Sequence, residues 1–310
     1  MTKIEYSEAK KGLGVERDEK IEDARRLLLT QKEEYKKKKE EYQQAKKIYK
    51  QEYAAKRLFL KNDFTGHHEV GVKEKYLSHE DIAELRKKKQ LPFYLHSEEI
   101  FNMVTHIVGG GLSLVGMVLG ILFSLYYHPG NLVYLLSMII FGVTSITLYT
   151  ISSIYHGLHI NEGKRVFQVL DHCTIYILIA GTYVPVTLIG LADHTPWNYV
   201  ILSVVVLLAV LGVVLNATMM RKIPVKVISM ILYIAIGWGI IFFYPWLVEG
   251  AFGLGGTWLL IGGGITYTVG SILYGIGSKK RYWHSIFHLF VIGGTVLQYL
   301  CVLLYGVIGL

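Results

Sequence analysis

The chain has 310 residues, 52% of them hydrophobic, with 32 Lys and Arg against 24 Asp and Glu. The charge is uneven: 24 of the basic and 18 of the acidic residues precede residue 91, and the remainder of the chain is largely Leu, Ile, Val, Gly and aromatics. Several apolar runs reach the roughly 20 residues needed to cross a bilayer, which excludes a soluble globular protein and predicts an all-α polytopic membrane protein. The first residues are polar and lack the apolar core of a signal peptide, so none is expected. The chain divides into two regions: residues 1–94, a charged cytoplasmic extension, and residues 95–310, the membrane domain.

From about Asp18 to Leu58 there is no Pro or Gly, and the composition predicts a long charged helix. Leu28, Tyr35, Tyr42 and Tyr49 recur every seven residues, as in a coiled-coil seam. Gln31, Lys38, Ala45 and Glu52 stand where the seam needs its second apolar row, so a solvated helix or partly disordered arm is expected instead. The basic runs Lys36 to Lys39 and Arg86 to Lys89 would be drawn to an anionic inner leaflet. The acidic residues leave the segment only +6, and no nucleic-acid partner is expected. His67-His68 reads as exposed rather than as a ligand pair, and a second short helix is predicted between Ser78 and Pro92.

Seven spans are predicted: Asn102 to Tyr126, Leu132 to Tyr155, Phe167 to Leu191, Tyr199 to Met219, Val227 to Leu247, Trp258 to Gly277 and Tyr282 to Ile308. Turn signals separate them at His128-Pro129-Gly130-Asn131, Asp193-His194-Thr195-Pro196 and Gly253 to Gly256. Every Lys and Arg after residue 91 falls in one of three loops, at Lys164-Arg165, at Arg221, Lys222 and Lys226, and at Lys279-Lys280-Arg281. The positive-inside rule then predicts a cytoplasmic N-terminus and an external C-terminus, and the plasma membrane is the expected location. Cys173 and Cys301 lie inside spans and are expected to pack as small apolar residues. Gly109-Gly110-Gly111, Gly262-Gly263-Gly264 and Gly293-Gly294 read as points of close helix packing.

A few polar residues interrupt the spans. His284 and His288, four apart, project from one helix face. Ser152 and His156 repeat that spacing at the end of the second span, and Asp171 is the one acidic residue of the spans after Glu99. Counted from the basic loops, His156, Asp171, His284 and His288 fall at one depth, near the cytoplasmic end. Three imidazoles with one open position are the donor set of a catalytic zinc site, which acidifies water to a pKa of about 7. Asp171 would then act as general base or orient water, and Ser152 would hold water or donate to a developing oxyanion. The alternative is three unrelated histidines serving as interhelical hydrogen-bond partners. Glu99, Asn102 and His106 form a polar stripe at the same level. His106 could be a fourth ligand; Glu99 and Asn102 could support the ligands, line an entrance or tie down a loop, or Glu99 could simply favour a helix N-terminus.

Glu99-x-x-Asn102-x-x-x-His106, Ser152-x-x-x-His156 followed by Asp171, and His284-x-x-x-His288 together resemble the three signature motifs of the hemolysin III family. These are the bacterial members of the progestin and adiponectin receptor superfamily. Asp171-His172 and Ala180-Gly181-Thr182-Tyr183-Val184-Pro185 are similar to that family's third span. The resemblance runs from about Leu95 to the end and implies a seven-helix bundle with zinc near its cytoplasmic face. It implies His156, His284 and His288 as ligands, Asp171 as the residue contacting zinc's water, and Ser152 close to the metal. Related receptors and alkaline ceramidases imply hydrolysis of lipid amides, so membrane lipids are the expected partners. The family also implies a role in membrane homeostasis and carries a cytolytic name. The long charged extension departs from the usual bacterial pattern.

Overall fold

The computed structural model describes residues 1–65, 79–89, 91–220, 223–277 and 281–310. His67-His68 and the loop residues Arg221, Lys222, Lys279 and Lys280 lie outside them. Among the described residues the chain is all-helical, with seven helical segments long and apolar enough to cross a membrane. They and α2 belong to one compact unit, and α1 (Lys3–Thr65) belongs to another.

α1 begins fifteen residues before the expected Asp18 and runs through Gly12 and Gly14. Its heptad residues Leu28, Tyr35, Tyr42 and Tyr49 are all exposed, as expected of a solvated helix. Ion pairs along it at i,i+4, Glu16 with Lys20 at 2.7 Å and Glu34 with Lys38 at 3.0 Å, favour the helical state. The expected short helix is α2 (His79–Lys88).

The spans are α3 (His96–Tyr127), α4 (Leu132–Gly157), α5 (Glu162–Leu188), α6 (Trp197–Met219), the pair α7 (Ile223–Trp238) and α8 (Tyr244–Glu249), α9 (Gly253–Gly277) and α10 (Trp283–Leu300). The last continues as a π-helix over Cys301–Ile308. α3, α5, α6, α7 and α9 start earlier than predicted, α9 taking in the Gly253 to Gly256 stretch expected as a turn, and at α3 and α5 polar caps extend the helices. The Glu98 carboxylate accepts from the Leu95 N–H at 2.8 Å ahead of α3, and the Asn161 side chain accepts from the Lys164 N–H at 2.8 Å at α5. The fifth span is not one helix. It passes through a 3₁₀ segment, Gly239–Phe243, before α8, where Pro245 has no N–H to continue the ladder.

α5 is the central helix: 50% of its apolar window is buried, against 22% for α3 and for α6. Tyr176, Tyr183 and Val186 of α5, with Ile189 just after it, pack with Val205 and Ala209 of α6, Leu260 of α9 and Val302 of the π-helix. Both cysteines are free and buried, Cys301 within this core. The outward face of α6 presents Val200, Val204, Leu207, Leu211 and Val214, a stripe suited to hydrocarbon. The glycine runs sit at close contacts: a Cβ on Gly109 would lie 2.9 Å from the Tyr149 ring, and one on Gly294 would lie 2.8 Å from the Tyr267 ring.

Candidate metal centre

α4 ends at Gly157 with Tyr155 and His156 buried, and its last carbonyls need donors. Lys164, which reads in sequence as a loop residue, supplies them. It is fully buried, and its Nζ donates to the carbonyls of Tyr155 and Leu158, each at 2.9 Å. This cap fixes the turn that carries His156. Opposite it, the first two turns of α10 present His284 and His288. From α3, Glu99, Asn102 and His106 face both at spacings of three and four.

The three expected ligands meet. His284 Nε2 lies 3.2 Å from His156 Nε2 and 3.1 Å from His288 Nε2, and one ring nitrogen from each residue falls within 4.8 Å of the others. The hydrogen bonds behind the rings settle which nitrogens carry protons. His156 Nδ1 donates to the Glu99 carboxylate at 2.6 Å, and His288 Nδ1 donates to the Asn102 carbonyl at 3.3 Å. In neutral imidazoles this turns the Nε2 lone pairs of His156 and His288 inward. His284 Nε2 faces both and can donate to only one. Three nitrogens arranged this way could share one electrophile. Tetrahedral zinc with Zn–N bonds of 2.0–2.1 Å separates its ligands by about 3.3–3.4 Å, close to the spacing found. The donor set fits a metal ion.

The supports are themselves tied down. Glu99 is 3% exposed, and its second oxygen receives Arg86 Nη2 at 2.7 Å and Lys164 Nζ at 3.1 Å. Asn102 Oδ1 accepts from Ser285 Oγ at 2.6 Å, fastening α3 to α10. The residue that ties down the neighbouring loop is Glu98, whose carboxylate accepts from the Tyr282 N–H at 2.5 Å, where the chain turns into α10 with φ +62°. His106 lies flat on His288, ring centroids 3.6 Å apart and planes 10° apart, and is not among the converging nitrogens.

Behind the histidines a cavity of about 180 Å³ runs into the bundle. Asp171, Ser152, His106, His284 and His288 all line it at one end, and Leu178, Ile179, Tyr183 and Trp238 line it farther in. Ser152 Oγ is buried without a hydrogen-bond partner among the described residues. Asp171 stands 3.9 Å from His172 Nδ1 and has no described hydrogen bond to the three histidines, so it shares the cavity with them rather than their ring contacts.

Sequence reasoning misses Arg86, Tyr94 and Lys164. Arg86 and Lys89 are expected at a membrane surface, but both are buried, at 1% and 8% exposure. The signal is the i, i+4, i+7 spacing of Ile82, Arg86 and Lys89, which puts them on one face of α2.

Residues 93–299 match the family described as Haemolysin-III related. The chain belongs to that family. It is 36% identical to Hemolysin-3 of Bacillus cereus over 208 residues, which span 67% of this chain and 91% of the relative. It is also 36% identical to the Hemolysin-3 homolog of Bacillus subtilis strain 168 over 210 residues, 68% of this chain and 95% of the relative. A more distant match, 27% identical over 252 residues, is the Adiponectin receptor protein of Drosophila melanogaster, covering 73% of this chain and 56% of that protein. Family and fold agree on a multi-pass membrane protein of the adiponectin receptor superfamily. The extension before residue 93 lies outside the family match.

Proposed function

We propose that the chain is a zinc-dependent hydrolase of lipid amide or ester bonds, serving membrane homeostasis, with the histidine end of its bundle at the cytoplasmic face of the plasma membrane. The observation that carries this is the convergence of three Nε2 atoms, two with lone pairs turned inward, at the head of a cavity with apolar walls. His156, His284 and His288 would hold the ion, which supplies Lewis acidity and water acidified toward neutrality. The chain's own groups supply the rest. Asp171 at the cavity wall accepts and returns a proton. Ser152 Oγ, free to donate, stabilises negative charge developing on the scissile carbonyl oxygen. The apolar residues deeper in the cavity give lipid chains a place while the headgroup linkage stays beside the histidines.

Mass-spectrometric profiling of membrane lipids incubated with purified wild type and His288→Ala tests this. Zinc-dependent loss of a lipid amide or ester in the wild type alone is expected. Equal turnover by both would end the hydrolase reading. Bound zinc without turnover would favour a receptor-like or regulatory role, which the name of the Drosophila relative raises.

A further inference from the structure

Two of the three histidines have ring nitrogens oriented from behind. Glu99 accepts from His156 Nδ1, and the Asn102 carbonyl accepts from His288 Nδ1. His284 differs: its Nδ1 is buried and has no hydrogen-bond partner among the described residues. An imidazole without that bond is free to rotate and to change tautomer, and a ligand needs neither freedom. What restrains His284 is aromatic packing: Tyr274 and Phe287 stand tilted to it with centroids 5.3 Å and 5.8 Å away, and Tyr94 is the ring stacked on it. Tyr94 lies against it with centroids 4.9 Å apart and planes 25° apart.

Tyr94 belongs to the segment between α2 and α3, outside the seven spans. The helix before it, α2, reaches the second ligand, His156, through Glu99. Arg86 of α2 sends Nη2 to Glu99 and Nη1 to the Pro92 carbonyl, each at 2.7 Å, and its guanidinium lies 5.9 Å from the Tyr94 ring centre. The guanidinium fork thus sets two geometries together. It fixes the Glu99 carboxylate so that its other oxygen meets His156, and it fixes the Pro92 turn that delivers Tyr94 to His284. Lys89, bonded to Glu162 at 2.9 Å, anchors the end of α2 to the start of α5.

We propose that Arg86 and Tyr94 are positioning residues of the metal centre, Arg86 acting through Glu99 on His156 and Tyr94 acting by stacking on His284. The segment carrying them donates no atom to the ion, yet governs how firmly it is held. This rests on the metal reading above.

The test is zinc affinity of the purified full-length protein by competition with a chelator, alongside the visible spectrum of the cobalt-substituted protein. Tyr94→Leu and Arg86→Gln should each weaken zinc binding by about 10–100-fold and alter the cobalt bands. Tyr94→Phe, which keeps the ring, should bind within about 2-fold of wild type, well short of that loss. Wild-type affinity and an unchanged cobalt spectrum in both Tyr94→Leu and Arg86→Gln would overturn the proposal. So would a Tyr94→Phe loss equal to that of Tyr94→Leu, since stacking would then not be the cause. If one variant fails to fold, the other decides, because Tyr94→Leu removes the stacking ring and leaves the Arg86–Glu99–His156 chain in place, whereas Arg86→Gln breaks that chain and keeps the ring. A wild type that binds neither zinc nor cobalt would instead defeat the metal reading itself.

Discussion

Replacing Glu99 by Gln is the sharpest perturbation the centre offers. The carboxylate is 3% exposed and takes three donors: His156 Nδ1 at 2.6 Å, Arg86 Nη2 at 2.7 Å and Lys164 Nζ at 3.1 Å. A Gln amide has one accepting oxygen and turns an NH₂ toward at least one of those donors. It also leaves two buried cations without their shared counter-charge. Breaking a buried ion pair by removing one partner costs about 3–5 kcal/mol of stability, and here two pairs share the anion. Losing the hydrogen bond behind a histidine ligand costs about 10–100-fold in metal affinity, or about 1.4–2.7 kcal/mol. Glu99→Gln should therefore lower the melting temperature in detergent and weaken zinc binding, with Glu99→Asp between it and wild type. Chelator competition and thermal unfolding on the same preparations measure both. A Glu99→Gln protein with wild-type melting and wild-type zinc affinity would refute the reasoning.

Changes elsewhere in the molecule have their own expected outcomes. Asp171→Asn and Ser152→Ala should each keep the metal but lower lipid hydrolysis by about 10²-fold or more, measured by product release at saturating zinc. Gly109→Ala should destabilise the bundle by about 1–3 kcal/mol, because the added methyl would sit 2.9 Å from the Tyr149 ring and 3.1 Å from Ile292; thermal unfolding reads this. Removing residues 1–65 should leave metal content unchanged, since α1 belongs to a separate compact unit; elemental analysis of the truncated protein checks it.

The spans are legible in the sequence because a chain that must satisfy hydrocarbon confines its charges to loops, and the apolar runs between them mark the helices. The histidines are legible for the same reason: polar residues are so rare in those runs that a spacing of four and a common depth stand out. Burial of Lys164 is not legible, and that of Arg86 and Lys89 shows only in the spacing that puts them on one face of α2 with Ile82. Beside a membrane a basic run looks like a surface run, and what buries these three is contact with Glu99, Glu162 and the end of α4, residues of other helices. The break at Gly239–Phe243 is also hidden, since an apolar run gives no sign of a change from α to 3₁₀ within it. Glu99 has several roles open to it in sequence, and only the fold assigns it to the back of His156.

Elemental analysis of the protein purified without chelator tests the metal centre most directly, with His156→Ala as its comparison. Wild type should carry about one zinc per chain, the stoichiometry of a single three-histidine site, and His156→Ala almost none. A metal-free wild type, or a His156→Ala protein with as much zinc as wild type, would contradict it.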